Sequence, residues 1–472
     1  MHLSMDMLVI GFGTGGKLVA GAMGRRGARV AIVEQSDHMY GGTCINIGCV
    51  PTKSLVHLAE TRNLDADPDE WFRRAACTTK VLTGQLRQKN FAALDAIETV
   101  TVINGRAAFL DPHTVSVATP HDTLVISADV IVIDTGSEPV IPHIPGLSAS
   151  CHTYTSTGLL DTTQRPGRLA IIGGGNVGIE FASVYAQFGT EVTVLEESGR
   201  LFAREDDDVA AAAIAILRDA GVAIRTGAHV TAIDDHAEAG VVRYTHDGAE
   251  AAVEAEAILV SAGRTPATVG LGLSAAGVRT TERGAVIVDE HLRTSQPHIY
   301  AVGDVNGGPQ FTYISHDDSR IVLDYLHGTG KRSTSDRVAV PYTVFLTPPL
   351  ARVGLTEREA VEAGRSVDVA VKRIEDVAGM PRSDIMGDTR GLMKFVIDAD
   401  TDEILGAALL CIDAQELINL VALAMRHHLT ASELRDTIFT HPTSTEAIGE
   451  VLAARRPGVA QRPKPVEAGQ PS

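Results

Sequence analysis

Two cysteines five positions apart are the sharpest chemical feature of the chain: Gly41-Gly42-Thr43-Cys44-Ile45-Asn46-Ile47-Gly48-Cys49-Val50-Pro51-Thr52-Lys53. They fall within disulfide reach if the loop enters a helix, and a dithiol–disulfide couple moves two electrons. Pro51 suits a first helical turn. That puts Cys49 near a helix N-terminus, where partial positive charge stabilises a thiolate. Cys49, Lys53 and His57 then share a helix face at i, i+4 and i+8. Spacing alone leaves two other readings open: buried apolar cysteines, or half of a zinc site, which needs two further ligands. Cys77, Cys151 and Cys411 stand isolated in the sequence, and no metal site is expected.

His441-Pro442-Thr443-Ser444-Thr445-Glu446 offers a proton carrier. A carboxylate beside His441 fixes its tautomer and raises its basicity. The adjacent His427 and His428 read as an exposed helix face rather than as metal ligands.

The elements that must position these groups contain an internal repeat. Met7-Leu8-Val9-Ile10 leads into Gly11-Phe12-Gly13-Thr14-Gly15-Gly16, and Leu169-Ala170-Ile171-Ile172 leads into Gly173-Gly174-Gly175-Asn176-Val177-Gly178. Both stretches fit G-x-G-x-x-G. Each continues into a helix-like segment, 17–26 and 179–188, and then a second apolar strand, Val30 to Val33 and Val192 to Leu195. Each strand closes on an acid, Glu34 or Glu196, at the same distance beyond the first glycine. One such turn is weak evidence, whereas two in register within strand–turn–helix–strand units predict two dinucleotide sites. The glycines let the backbone approach a pyrophosphate, the helix N-terminus offers free N–H groups, and the acid accepts from ribose hydroxyls. The alternative is a pair of ordinary glycine-rich turns.

Residues 61–100 read as helical, with a solvated charged face around Arg73, Arg74, Lys80, Arg87 and Lys89. Residues 100–145 read as short strands closing on Asp134-Thr135-Gly136. Ala285 to Val288 and Ile299 to Val302 read as strands ending at Gly303-Asp304. After Gly328-Thr329-Gly330-Lys331 the composition shifts. Residues 340–455 read as a separate domain with strands at 342–346, 392–397 and 404–410 and helices at 413–427 and 430–436. The tail, with Pro457, Pro463, Pro465 and Pro471, is expected to be disordered.

Composition bounds the function. The 472 residues allow about three domains. A chain that is 44% apolar and 21% charged is neither disordered nor fibrous. Aromatics are 4%, with Trp71 the single tryptophan, so stacking on single-stranded nucleic acid is poorly supplied. A formal charge of −18 repels nucleic acid and anionic membranes. No run approaches the roughly 18 apolar residues of a spanning helix, and Met1 to Met7 lacks the basic region of a signal peptide. A cytoplasmic location is expected. Five cysteines there make no disulfide framework, so a close pair is catalytic or metal-binding.

In order along the chain, the first fingerprint, G-G-T-C-x-N-x-G-C-x-P-T-K, the second fingerprint, the G-D of Gly303-Asp304 and H-P-T-x-x-E resemble the class I flavoprotein disulfide reductases. That family includes lipoamide dehydrogenase, glutathione reductase and mercuric reductase. The resemblance spans about residues 6 to 455. A closer resemblance is to the reactive-chlorine resistance flavoproteins of enteric bacteria. It is carried by Met39 to His57, Gly307 to Val322, Gly330 to Glu357, Asp388 to Asp398 and Leu434 to Ala447.

The resemblance implies an α/β fold of the glutathione reductase type, with two Rossmann-type domains and a C-terminal α+β dimerisation domain. Its segments would be 1–150 (FAD-binding, with the redox pair), 151–284 (NAD(P)H-binding), 285–335 (returning to the FAD domain), 336–455 (dimerisation) and 456–472 (disordered tail). Gly11, Gly13, Gly16 and Glu34 would hold the adenosine half of FAD. Gly42, Thr43, Lys53, Gly136, Asp304 and Thr312 would hold its other half. Gly173, Gly175, Gly178, Glu196 and Gly263 would bind the nicotinamide nucleotide. Glu180 would pair with Lys53. Cys49 would be the charge-transfer thiol against the flavin, and Cys44 the outer, interchange thiol. His441 and Glu446 would come from the other subunit of a homodimer. The implied activity is NAD(P)H-dependent reduction of a small oxidant, hypothiocyanous acid foremost, with copper(II) also associated with the subfamily.

Asn176 departs from the family pattern, standing where an aromatic gate usually covers the nicotinamide pocket. Glu196 would repel the extra phosphate of NADPH and favour NADH, with Arg200 and Arg204 softening that preference. Among rivals, mercuric reductase shares the look of Gln310-Phe311-Thr312-Tyr313, but the stretch Val466 to Ser472 lacks its terminal cysteine pair. Lipoamide dehydrogenase fits the long stretches poorly, and glutathione reductase sits badly with Glu196. Cys44 and Cys49 argue against a transhydrogenase and against a non-catalytic flavoprotein.

Overall fold

The computed structural model describes residues 2–63 and 65–458, in two compact units. Among the described residues the first comprises 2–168, 232–242 and 254–337, and the second 169–231, 243–253 and 338–458.

The first unit is built on a seven-stranded sheet. His2–Ile10 lies between Val30–Glu34 and Thr123–Ile133 and runs parallel to both, with Met7 opposite Val30 on one side and Val130 on the other. Val100–Asn104 extends the sheet beyond Val30–Glu34, and Ile299–Ala301 returns from far along the chain to pair with Thr123–Ile133. Thr114–Ala118 and Arg106–Asp111 complete it as antiparallel strands. A parallel strand covered on both faces needs a continuous apolar run. Met7 to Ile10 meets that need: Met7 and Val9 join one core with Val19 and Ala20, while Leu8 and Ile10 join another with Ile131 and Ile133. The alternation is the period of two of a strand.

Helices Thr14–Arg25 and Asn176–Gln187 begin inside the glycine fingerprints rather than after them. Gly15, Gly16 and Gly178 are therefore helical. Their missing side chains let the helix pack tightly against the strands, and all three are buried. The long helix is Pro68–Asp95, capped by Asp67, whose carboxylate accepts from the amides of Asp69 and Glu70 at 2.9 Å. Its charged face is not wholly solvated. Lys80 donates to the carbonyl of Asp161 at 2.7 Å, and Arg87 reaches the redox segment.

Ala285 to Val288 is not a strand. Val286 donates to Val305 and Ile287 to Arg279, so its amides are satisfied singly on opposite sides and only an isolated bridge, Thr280 to Val286, forms.

In the second unit, Glu191–Glu196 follows the second fingerprint helix and pairs in parallel with Ala223–Thr226. A six-stranded sheet has the order Tyr342–Val344, Leu350–Gly354, Ile404–Leu410, Leu392–Asp398, Val367–Arg373, Arg455–Pro457. Helices Ala414–Arg426 and Ala447–Ala453 bury Leu417, Ile418, Val421, Ile448 and Val451 against Met393, Phe395 and Leu409. Leu350–Gly354, Val367–Arg373 and Ala447–Ala453 escaped the sequence reading. Val367–Arg373 carries its charges within a strand, as VDVAVKR, which blurs its apolar pattern. The tail expected to be disordered from 456 is corrected at its start, since Arg455–Pro457 pairs with Val367–Arg373. Residues 459–472 lie outside the described residues. Among the described residues no helix is long and apolar enough to cross a membrane.

Candidate active site

Cys44 lies on a short helix, Gly42–Asn46, and Cys49 is the first residue of the helix Cys49–Glu60. Two helical pieces broken at Ile47 and Gly48 thus replace the expected loop into a single helix. The two cysteines stand as free thiols. A hydrogen bond to Cys49 pushes the Cys44 thiol well up, and burial adds to the effect.

Cys49 occupies the electropositive end of its own helix, whose cap, Gly48, supplies no side chain. Its Sγ also lies 3.5 Å from Oγ1 of Thr312, the first residue of the helix Thr312–His327. Two helix N-termini therefore meet at one sulfur. Thr312, assigned to the flavin by resemblance, touches the redox pair itself. Exposure does not follow the inner and outer assignment: within this chain Cys49 is exposed and Cys44 half-buried. Burial and the charge of Cys49 push the Tyr313 phenol up, and its ring stacks on Phe311 at 5.1 Å.

The surrounding scaffold contains residues that the sequence reading passed over. Asn46 donates to the carbonyls of Tyr40 and Gly42 and accepts from Arg87 Nε at 2.8 Å. Lys17 donates to Asn90 at 2.7 Å. Burial lowers the pKa of Lys17. Lys53 follows Cys49 by one helical turn.

The two fingerprints share one geometry. Gly11 and Gly173 turn the chain at φ +102° and +104°, a region that favours glycine. Glu34 accepts from the amides of Phe12 and Ser36 at 3.0 and 3.1 Å. Glu196 accepts from Gly174 and Ser198 at 2.6 and 2.8 Å. Each acid thus ties the end of its strand back to the turn. Burial raises the Glu34 carboxyl despite its amide donors. Gly13 and Gly175 cap the two helices without a side chain; in the first helix the Gly15 amide donates to Ser315 Oγ at 2.9 Å.

Three contacts test whether a flavin nucleotide fits. A Cβ on Gly42 would sit 2.7 Å from the Cα of Gly13, so the redox segment crosses the fingerprint backbone to backbone. A Cβ on Gly13 or Gly16 would meet the Asp134 carboxylate at 2.6 Å, and that carboxylate accepts from the Gly16 amide at 2.6 Å. Burial holds the Asp134 carboxyl well above the usual range. Asp134, read from the sequence only as the end of a strand, fixes this turn. A glycine turn with no side chains in the way lets a pyrophosphate approach the backbone beside the cysteine pair.

Asp304 lies in the turn Gly303–Asn306 and accepts from Ser137 Oγ at 2.6 Å. Ser137 Oγ in turn accepts from Arg264 Nε at 2.8 Å. Gly263 has φ +112° and its carbonyl accepts from the Val140 amide. Gly136, at φ +70°, would carry a Cβ only 3.9 Å from Thr43 Oγ1. Arg264 is a further residue the sequence reading missed.

In the second unit, His441 Nδ1 lies 2.9 Å from Glu446 Oε1, and Glu446 Oε2 accepts from the Thr443 amide at 2.8 Å. Both contacts hold the Glu446 carboxyl below its ordinary range, the amide first. Asp413 anchors this loop by accepting from Ser444 Oγ at 2.7 Å. Glu180 Oε1 accepts from the Phe345 amide at 2.9 Å. Asn176 is exposed at the first position of its helix. His427 and His428 are exposed as expected, but they lie just past the end of the helix Ala414–Arg426 rather than on its face. Cys151 is not isolated: it lies against His152 and Asp235.

Comparison with known proteins agrees with this geometry. The model of the pyridine nucleotide-disulphide oxidoreductase family matches residues 5–319, and the model of its dimerisation domain matches residues 340–452. The chain is 46% identical to the probable pyridine nucleotide-disulfide oxidoreductase RclA of Escherichia coli K12, over 94% of this chain and 98% of that one. It is 34% identical to a mercuric reductase of Streptomyces lividans, over 95% of each chain. It is 32% identical to a dihydrolipoyl dehydrogenase of Geobacillus stearothermophilus, over 94% of each. The crystal structure of a Cu(II) complex of the HOCl-induced flavoprotein disulfide reductase RclA from E. coli superposes with a TM-score of 0.90 at 45% identity, covering 95% of this chain and 99% of that one. An internally repeated nucleotide fold, a thiol pair at a helix end and a matched dimerisation domain converge on one conclusion: the chain belongs to the pyridine nucleotide-disulphide oxidoreductases, FAD-dependent flavoprotein enzymes that use a pyridine nucleotide.

Proposed function

We propose that the chain is an NADH-dependent reductase of a small electrophilic oxidant, hypothiocyanous acid foremost, acting through the Cys44–Cys49 couple. The observation that carries this reading is the setting of the thiol pair: Cys49 opens one helix and touches Thr312, the first residue of another, five positions beyond Cys44.

When bound, FAD supplies the two-electron relay between the nicotinamide and the cysteines. Segments 1–150 and 285–335 would hold it through Gly11, Gly13, Gly16, Glu34, Gly42, Thr43, Lys53, Gly136, Asp304 and Thr312. Segment 151–284 would hold the nicotinamide nucleotide through Gly173, Gly175, Gly178, Glu196 and Gly263. Glu180 would steady Lys53. Segment 336–455 would form a homodimer, and His441 with Glu446 would serve the cysteines of the partner subunit.

In the oxidant half-reaction Cys44 loses its proton to His441 of the partner subunit and attacks the sulfur of hypothiocyanous acid. A Cys44 sulfenyl thiocyanate forms and hydroxide leaves, taking a proton to become water. The Cys49 thiolate then attacks the Cys44 sulfur, forming the disulfide and releasing thiocyanate. The substrate sulfur is reduced by two electrons and the thiol pair is oxidised by two. A second reading, copper(II) reduction at the same pair, is favoured by the copper complex of the E. coli relative.

A steady-state screen of NADH oxidation with hypothiocyanous acid, Cu(II), Hg(II), lipoamide and glutathione disulfide tests the proposal. Hypothiocyanous acid is expected to give the highest kcat/KM. A higher value with lipoamide or Hg(II) overturns the substrate assignment.

Two predictions concern the nucleotide side. Arg200 is engaged by Asp207 at 3.0 Å and by the Glu205 carbonyl at 3.1 Å, and Glu196 faces the turn at the Gly174 amide. NADH is therefore expected to exceed NADPH in kcat/KM by roughly tenfold or more, because like charges at a recognition site cost several kcal/mol. The ratio narrows in Glu196→Gln. The exposed Asn176 leaves the nicotinamide pocket ungated, so the wild type should show NADH oxidase activity with oxygen. Oxygen-dependent turnover should fall in Asn176→Tyr; an undiminished rate counts against the open gate.

A further inference from the structure

Cys151, His152 and Asp235 present a sulfur, an imidazole nitrogen and a carboxylate oxygen that all lie within 4.8 Å of one another. The first two are neighbours in sequence, and the third arrives from a distant strand, His229–Asp235. The frame that joins them is backbone: the Ile233 amide donates to the Pro145 carbonyl at 2.9 Å, and the Ile258 amide donates to the His152 carbonyl at 2.8 Å. Gly146 approaches so closely that a Cβ there would clash with the Ile233 carbonyl. Backbone hydrogen bonds thus bring the three residues together.

The carboxylate is aimed by three donors. Asp235 Oδ1 accepts from Ser150 Oγ at 2.5 Å, and Oδ2 accepts from the Cys151 amide at 3.1 Å and from the Cys151 thiol at 3.3 Å. The imidazole is the second informative group. His152 Nδ1 faces the Glu256 carbonyl at 3.2 Å and Nε2 faces the His236 carbonyl at 3.0 Å. A neutral imidazole donates only once. Binding a metal through one nitrogen therefore gives up that nitrogen's carbonyl contact. The other keeps its N–H to a carbonyl, the arrangement that orients metal-bound histidines.

We propose that Cys151, His152 and Asp235 form a binding site for a divalent transition metal, separate from the Cys44–Cys49 couple. Mixed sulfur, nitrogen and oxygen ligands select Zn(II) or a similar ion over Mg(II) and Ca(II), which take oxygen alone. On binding, the Cys151 thiol releases its proton to solvent and its sulfur bonds the metal, so the hydrogen bond to Asp235 becomes a shared metal bridge. Three protein ligands leave the remaining position to solvent. Cys151 and Asp235 are exposed, giving the ion a direct path.

The test uses the oxidised holoenzyme, in which Cys44 and Cys49 are joined and unavailable as ligands, with Zn(II) as the probe. Alkylation is followed cysteine by cysteine by mass spectrometry with and without the metal. Cys77 is exposed and lies outside the cluster, so it serves as the internal control. Saturating Zn(II) should slow labelling of Cys151 roughly tenfold or more while leaving Cys77 unchanged. Equal labelling of both with and without Zn(II) overturns the site. Calorimetric titration of Asp235→Asn and His152→Gln should show at least about tenfold weaker Zn(II) binding than wild type, and unchanged affinity in both variants also overturns it. The alkylation arm needs no variant and stands even where a substitution fails to fold.

Discussion

Cys44→Ser is expected to abolish turnover of hypothiocyanous acid, by roughly 10³-fold or more, while the variant still binds its flavin. Loss of a nucleophile that acts as part of a unit removes nearly the whole chemical acceleration. The flavin should remain because the groups proposed to hold it, led by the turn at Gly11 with Glu34 and Asp134, are tied by bonds that do not involve Cys44. The variant also isolates the second thiol. Cys49 stays at the N-terminus of Cys49–Glu60 and beside Thr312, and it loses only its hydrogen bond with the Cys44 thiol. A long-wavelength charge-transfer band from Cys49 should therefore persist in Cys44→Ser and vanish in Cys49→Ser. The checks are steady-state NADH oxidation, flavin content and the visible spectrum. Wild-type turnover in Cys44→Ser ends the proposed mechanism, and a colourless preparation after flavin supplementation contradicts the placement of the cradle.

His441→Ala should lower kcat/KM for the oxidant by about 10²- to 10⁴-fold, the usual worth of a positioned acid–base group. Reduction of the enzyme by NADH, followed by stopped flow, should be unchanged, because His441 is assigned only to the thiol half-reaction. The same loss in both half-reactions would remove His441 from that role. Glu446→Gln should show a smaller loss in the same direction, with a distinct pH signature. The Glu446 carboxyl lies below its ordinary range because the Thr443 amide and His441 favour its anion. A lowered folded-state value means that this support is fully present above the ordinary glutamate range and is lost as pH falls through the lowered value. Wild-type activity should therefore carry a dependence on that ionisation in acid, and Glu446→Gln should lack it. A pH–rate profile of the two proteins decides the point.

Local signals carried much of this protein. The redox segment, both glycine turns with their matched acids, and the His441 to Glu446 pairing are short-range patterns, readable because backbone conformation at glycine and helix ends is set by neighbours in sequence. The parallel core at Met7 to Ile10 was readable for a similar reason: burial on both faces demands an unbroken apolar run. Ala285 to Val288 looked the same and failed, because its hydrogen-bond partners, Val305 and Arg279, come from opposite sides.

What the chain alone could not disclose is contact between residues far apart in it. Nothing local to Asp134 announces that it braces Gly13 and Gly16, nor that Thr312 would sit on Cys49, nor that Arg87 would hold Asn46. Cys151 looked solitary until the strand ending at Asp235 was laid beside it. Sequence determined the nucleotide turns, the thiol pair and the family. Tertiary structure decided which acid, hydroxyl or imidazole stands next to each reactive atom, because hydrogen bonds and burial act through space and take no account of position along the chain.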